Sequence, residues 1–146
     1  MKRFFAVLLT LALICCTFTS CFDRTVHLME TDLSEGLIRI DYANIDLAES
    51  GDEYYNIEVY KTLDLEEQDR VLSEIKEIEF LRNIFPRYPE LYGDGLIFYY
   101  ASYRLFVTSH TVYKEPFDSV ATGEPLWYDI GYSDQLVELL NTLKNS

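Results

Sequence analysis

Histidine offers this 146-residue chain little for metal or acid–base chemistry. His27 precedes the first expected strand, and His110 falls in a turn after a strand. Neither sits in a His-x-x-x-His or His-Glu-x-x-His spacing, so the three or four ligands a zinc ion needs are not marked. Both read as ordinary surface histidines. Carboxylates are abundant, yet Asp41, Asp46, Glu49, Asp52 and Glu53 lack the spacing and central glycine of a calcium loop. Asp64, Glu66, Glu67 and Asp69 crowd a helix start, where capping explains them, and Asp129 and Asp134 flank the last helix. A glycosidase sets two acids across a sugar cleft, and no pair here is singled out for that. No serine lies in Gly-x-Ser-x-Gly, and no Walker or dinucleotide fingerprint occurs. Ser34-Glu35-Gly36 and Gly93-Asp94-Gly95 read as turns.

Recognition is better served than catalysis. The segment Arg87-Tyr88-Pro89-Glu90-Leu91-Tyr92-Gly93-Asp94-Gly95 sets two tyrosines, an arginine and acids on a Pro/Gly-framed loop. Tyrosine and arginine give large contact area with hydrogen-bonding tips. Tyr88, Tyr92 and Asp94, with Tyr99 and Arg104 of the neighbouring hairpin, form the candidate binding surface. The competing reading folds Tyr88, Leu91 and Tyr92 back onto an apolar sheet face that needs a cover.

The N-terminus carries a different kind of signal. Lys2 and Arg3 precede an apolar run from Phe4 to Ile14, and small residues lead to Phe18-Thr19-Ser20-Cys21. A basic start, an apolar core and a small-residue exit make a secretory signal. The exit resembles the lipobox of bacterial lipoproteins, with Phe18 in place of the usual aliphatic residue. That resemblance implies cleavage before Cys21, a diacylglycerol on its thiol and an anchor carrying acyl chains such as palmitate. It also implies a place on the extracytoplasmic face of a bacterial membrane or envelope. It covers the leader only. The resulting division is a signal peptide over 1–20, a lipidated Cys21 with a short tether to residue 36, and one domain over 37–146.

Loss of the leader removes Lys2 and Arg3 and no acid. Ten basic against 25 acidic residues remain, a net charge of −15 compared with −13 for the full chain. A surface this acidic suits neither nucleic acid nor anionic headgroups. No cysteine follows Cys21, so packing alone must hold the exported domain, and a cysteine nucleophile or thiolate metal site is excluded. Twelve tyrosines and six of the nine phenylalanines lie beyond the leader and supply that packing. No cofactor is expected. The expected partners are the membrane, through Cys21, and a protein.

The elements that position these residues follow from periodicity. Leu37 to Leu47 alternates at Ile38, Ile40 and Tyr42, and Asn56 to Leu63 at Ile57 and Val59, giving two paired strands. Asp64, with Glu67 three residues on, starts a helix whose apolar stripe is Val71, Leu72, Ile75 and Ile78. The helix ends near Glu77, leaving Ile78 to Phe85 as either strand or continued helix. Pro86 to Gly95 is expected as loop. Leu96–Tyr100 and Tyr103–Thr108 form a hairpin about Ala101-Ser102, with Tyr99 against Arg104 and Phe98 against Leu105. Thr111–Lys114 is a short strand, Glu115–Pro125 a loop, and Leu126, Tyr128 and Ile130 a last strand. Ser133 caps a final helix with a stripe of Leu136, Leu139, Leu140 and Leu143, and Tyr132 is expected to staple onto Val137. The sum is an α+β domain in the order ββα(β)βββα. It has a mainly antiparallel sheet of about five strands and two helices on one face. The expected function is a non-catalytic interaction module. A carbohydrate or cell-wall module and an envelope-displayed enzyme inhibitor are the alternatives.

Overall fold

A computed structural model describes residues 25–29, 32–47, 55–83, 91–117 and 126–146. Among them, six strands form one antiparallel sheet: β1 (Leu37–Leu47), β2 (Tyr55–Thr62), β3 (Gly93–Tyr100), β4 (Tyr103–Thr108), β5 (Thr111–Pro116) and β6 (Leu126–Asp129). Their spatial order is β2-β1-β3-β4-β5-β6. Helices α1 (Leu65–Glu77) and α2 (Asp134–Asn145) complete the α+β arrangement expected from the sequence.

Both helices begin where a side chain satisfies the free N–H groups of the first turn. The Asp64 carboxylate accepts from the Glu67 N–H at 2.9 Å, and the Glu67 carboxylate accepts from the Asp64 N–H at 3.3 Å, a full capping box. The Ser133 hydroxyl accepts from the Leu136 N–H at 3.3 Å. Helix α1 ends at Ile78, whose backbone turns extended while its side chain stays in the core. Among the described residues 78–83 neither continued helix nor a full strand follows, and Ile84 and Phe85 lie outside the described residues. Only isolated bridges form, Thr25 to Leu81 and Arg82 to Ile130. Tyr132, expected to staple onto Val137, is instead 70% exposed.

The helical stripes cover one face of the sheet. Val71, Leu72 and Ile75 of α1 and the four α2 leucines join Ile40, Tyr42, Leu96, Phe98, Leu105 and Val107 in the main core. Ile38 was expected to share the face of Ile40 but is 64% exposed. A register shift between Leu37 and Arg39 throws it out of the alternation.

Described residues of the segment expected as a short tether pack onto the domain. Val26 is buried, and its N–H donates to the Phe80 carbonyl at 2.7 Å. Leu33 is buried too, and its carbonyl accepts from the Tyr100 hydroxyl at 2.7 Å. The packed unit therefore includes described residues ahead of Leu37, among them Val26 and Leu33.

The opposite sheet face is apolar as well, and the sheet covers it by curling. In a flat sheet β2 and β5 lie four strand spacings apart, about 19 Å. Here the Tyr55 hydroxyl of β2 donates to the Glu115 carboxylate of β5 at 2.5 Å. Two devices permit the curl. A bulge interrupts β1 between Tyr42 and Ala43. Strand β3 opens with Gly93, at φ +89°, and Gly95, where a Cβ would stand 2.8 Å from the Val107 carbonyl oxygen. Gly93-Asp94-Gly95, read as a turn from sequence, is thus paired strand opposite Ile45, Asn44 and Ala43. Inside the curl Ala43, Ile45, Leu91, Ile97, Phe106 and Tyr113 form a second buried cluster, with Tyr55, Ile57 and Tyr99 packed on it.

Candidate functional site

The registers place four side chains in a row across the rim of the concave face. Arg39 of β1 pairs with Tyr99 of β3, Tyr99 with Arg104 of β4, and Arg104 with Glu115 of β5. Side chains opposite one another in neighbouring strands share a face and lie within contact distance. The row is therefore cation, aromatic, cation, anion.

Its inner half is locked. Arg104 forms an ion pair with Glu115 through Nε, and its Nη2 donates to the Tyr55 hydroxyl at 2.8 Å. The guanidinium carbon also lies 5.0 Å from the Phe106 ring centroid and 5.5 Å from that of Tyr55. Burial is the largest single influence and opposes the Arg104 charge, but the hydrogen bonds and charge interactions with Glu115 and Tyr55 together outweigh it and raise the arginine pKa. Burial first, and then the hydrogen bond to Glu115, pushes the Tyr55 hydroxyl well above its ordinary value. Tyr55 therefore remains a neutral donor.

The outer half is open. The Arg39 guanidinium carbon lies 4.1 Å from the Tyr99 ring centroid, and its Nε is 3.2 Å from the Asp41 carboxylate. Asp41 is buried and also accepts from the Thr62 hydroxyl at 2.8 Å. The Arg39 side chain nevertheless remains 49% exposed, against 24% for Arg104 and Glu115. Its hydrogen bond to Tyr99, and then the charge of Asp41, raise its pKa. A permanently charged guanidinium is thus held in a fixed place over an aromatic ring, with about half its surface in water. Such a group suits a carboxylate or an aromatic side chain on a partner.

The five residues singled out from sequence divide. Tyr99 and Arg104 stand together in the row. Asp94 points to the helical face, where it accepts from the Tyr42 hydroxyl at 3.2 Å and the Asn44 amide at 2.9 Å. Tyr92 is at the other end of β3, its ring centroid 4.2 Å from that of His110. Tyr88 lies outside the described residues, as does Cys21. The single five-residue surface is therefore not assembled. Leu91 does what the competing reading expected, being buried under the concave face.

Arg39, Tyr55 and Glu115 were missed. Arg39 and Asp41 alternate with Ile40 and Tyr42, and that alternation was the available signal for Arg39. Tyr55 falls just ahead of the strand expected from Asn56, and Glu115 at the start of an expected loop. Their meeting depends on a curl that no local pattern announces. Among the described residues no group of three or more His, Cys, Asp or Glu is placed to hold a metal ion. Comparison of the chain with family models, curated proteins and solved structures gives no match.

Proposed function

We propose that the chain is a lipoprotein anchored through Cys21 at the extracytoplasmic face of a bacterial membrane. Its domain binds a protein partner through the open end of the Arg39–Tyr99–Arg104–Glu115 row and does not catalyse a reaction. The observation that carries this is the half-exposed Arg39 guanidinium held over Tyr99 and backed by buried Asp41. Fixing a long cation in advance removes much of the side-chain ordering cost of association. Arginine and tyrosine are the side chains that most often dominate interfaces. A stacking platform for sugars is less well supported, because Arg39 already covers the Tyr99 ring.

The anchor and the surface are tested separately. Mass analysis of the N-terminal peptide from bacterial membranes is expected to show Cys21 as the first residue, bearing diacylglycerol. A Cys21→Ala chain is expected to leave the membrane fraction. For the surface, cross-linked envelope proteins recovered with the intact chain are compared with those recovered with an Arg39→Glu variant. Identical recovery from both chains argues against the row as the binding surface.

A further inference from the structure

We infer that the strip formed by Thr25, Leu81, Arg82 and Tyr132 is the side of the domain that lies on the lipid surface. The inference rests on the anchor at Cys21 proposed above and adds an orientation to it. Only residues 22–24 separate Cys21 from Thr25, so four Cα steps span at most about 14 Å. A domain of this size is about 35 Å across. The lipid can therefore be met only by the side that carries Thr25.

That side is fixed by the fold. Thr25 bridges to Leu81, and the Val26 N–H is bonded to the Phe80 carbonyl with the Val26 side chain buried, so the segment cannot peel away without exposing core. Leu81 in turn is tied to the link between β6 and the last helix, its carbonyl accepting from the Gly131 N–H at 2.8 Å. The surface around this tie carries apolar groups that the domain itself leaves uncovered. Leu81 is 37% exposed and the adjacent Tyr132 is 70% exposed. Arg82 bridges to Ile130 beside them, with its guanidinium 5.7 Å from the Tyr128 ring centroid. Tyrosine, leucine and a snorkelling arginine are the set that a headgroup layer accepts. Glu77 and Glu79 are exposed nearby and disfavour strongly anionic lipid. A zwitterionic surface, with the acyl anchor supplying most of the affinity, fits both facts.

The test uses the lipidated chain in phosphatidylcholine vesicles. After Cys21 the mature chain has no cysteine, so a single introduced cysteine takes a nitroxide label cleanly. Labels are placed by Tyr132→Cys, by Leu81→Cys and, on β2 as a reference, by Glu58→Cys. The ratio of collisions with oxygen to those with a water-soluble nickel chelate is expected to be severalfold higher at positions 132 and 81 than at 58. Equal ratios at the three sites, with Cys21 lipidated by mass, overturn the orientation and leave the anchor standing. An unmodified Cys21 overturns both. Protection at position 132 that persists in detergent and grows with protein concentration assigns the strip to a second copy and also overturns the inference. Circular dichroism of each labelled chain confirms the fold, and hydrogen exchange of the unlabelled chain, slowed by vesicles at residues 81–82 and 130–132, gives the same reading without substitution.

Discussion

Removing the Arg104 guanidinium should cost far more than removing a surface charge, and the cost should depend on Tyr55. An Arg104→Met variant keeps the apolar stem against Phe106 and deletes the ion pair with Glu115 and the hydrogen bond to Tyr55. Exposed ion pairs contribute about 0–1 kcal/mol, and breaking a buried pair costs about 3–5 kcal/mol. With both partners 24% exposed, an intermediate loss of about 2 kcal/mol is expected for the pair. The Tyr55 bond adds about 1 kcal/mol. The total, about 3 kcal/mol, lowers Tm by roughly 10 °C in a domain of this length. Tyr55→Phe alone should lose about 1 kcal/mol at the Arg104 bond. It also removes the bond to Glu115, which adds about 1 kcal/mol to its own cost, but only the Arg104 bond is shared, so the double variant should be less unstable than the sum by about 1 kcal/mol. Urea unfolding of residues 22–146, followed by circular dichroism, measures all four corners of the cycle. In a flat sheet β2 and β4 are three spacings apart, about 14 Å, and substitutions at that distance add. Additivity within about 0.5 kcal/mol would refute the curl and the buried half of the row together.

Alkali should unfold the domain cooperatively. Burial pushes the Tyr42 and Tyr113 hydroxyls up to about 12 and raises those of Tyr55 and Tyr100 as well. The folded state then holds protons that the unfolded chain releases near pH 10. Stability is therefore full below about pH 10 and falls above it, by up to about 1.4 kcal/mol per pH unit for each of these tyrosines. Tyrosinate absorbance is expected to show them ionising only as circular dichroism is lost. Gly95→Ala should destabilise by about 2 kcal/mol, since its Cβ meets backbone at 2.8 Å. Gly131→Ala, whose nearest neighbour is at 3.6 Å, should stay within about 0.5 kcal/mol in the same thermal melts. Acid should loosen the N-terminal segment. The Ser34 N–H first, and then Lys76, hold Asp32 down to about 2. Its contribution is complete above the unfolded value near 4 and is lost as pH falls toward 2. Faster hydrogen exchange at Val26 over that window is the readout, and a Lys76→Ala chain should narrow it.

Much of the fold was legible because its signals are local. Asp64 and Glu67 announce a capping box, and Leu136 to Leu143 a helical stripe, from side-chain types at fixed spacing. The β3–β4 register was legible as well, although Ala101-Ser102 is weak turn chemistry. Stacking of Tyr100 on Tyr103, with centroids 4.6 Å apart, supports the turn in its place. Glycine misled at Gly93 and Gly95, which lie within a strand and not a turn: Gly93 supplies a positive φ, and Gly95 a close approach to Val107. The candidate site was half legible for the same reason. Tyr99 and Arg104 are cross-strand neighbours in a hairpin and follow from its register. Arg39 depends on a register shift, and Tyr55 on a curl that brings strands four places apart together. Both are properties of the whole sheet.

Site-specific photocrosslinking in living cells reports directly whether a protein partner sits on the row. A benzoylphenylalanine in place of Tyr99, in the full chain with its leader, sets the probe at the open end of the row. A discrete protein adduct is expected in the membrane fraction, and it disappears when Arg39→Glu is added. No adduct at position 99, or one that persists unchanged with Arg39→Glu, contradicts a partner on the row.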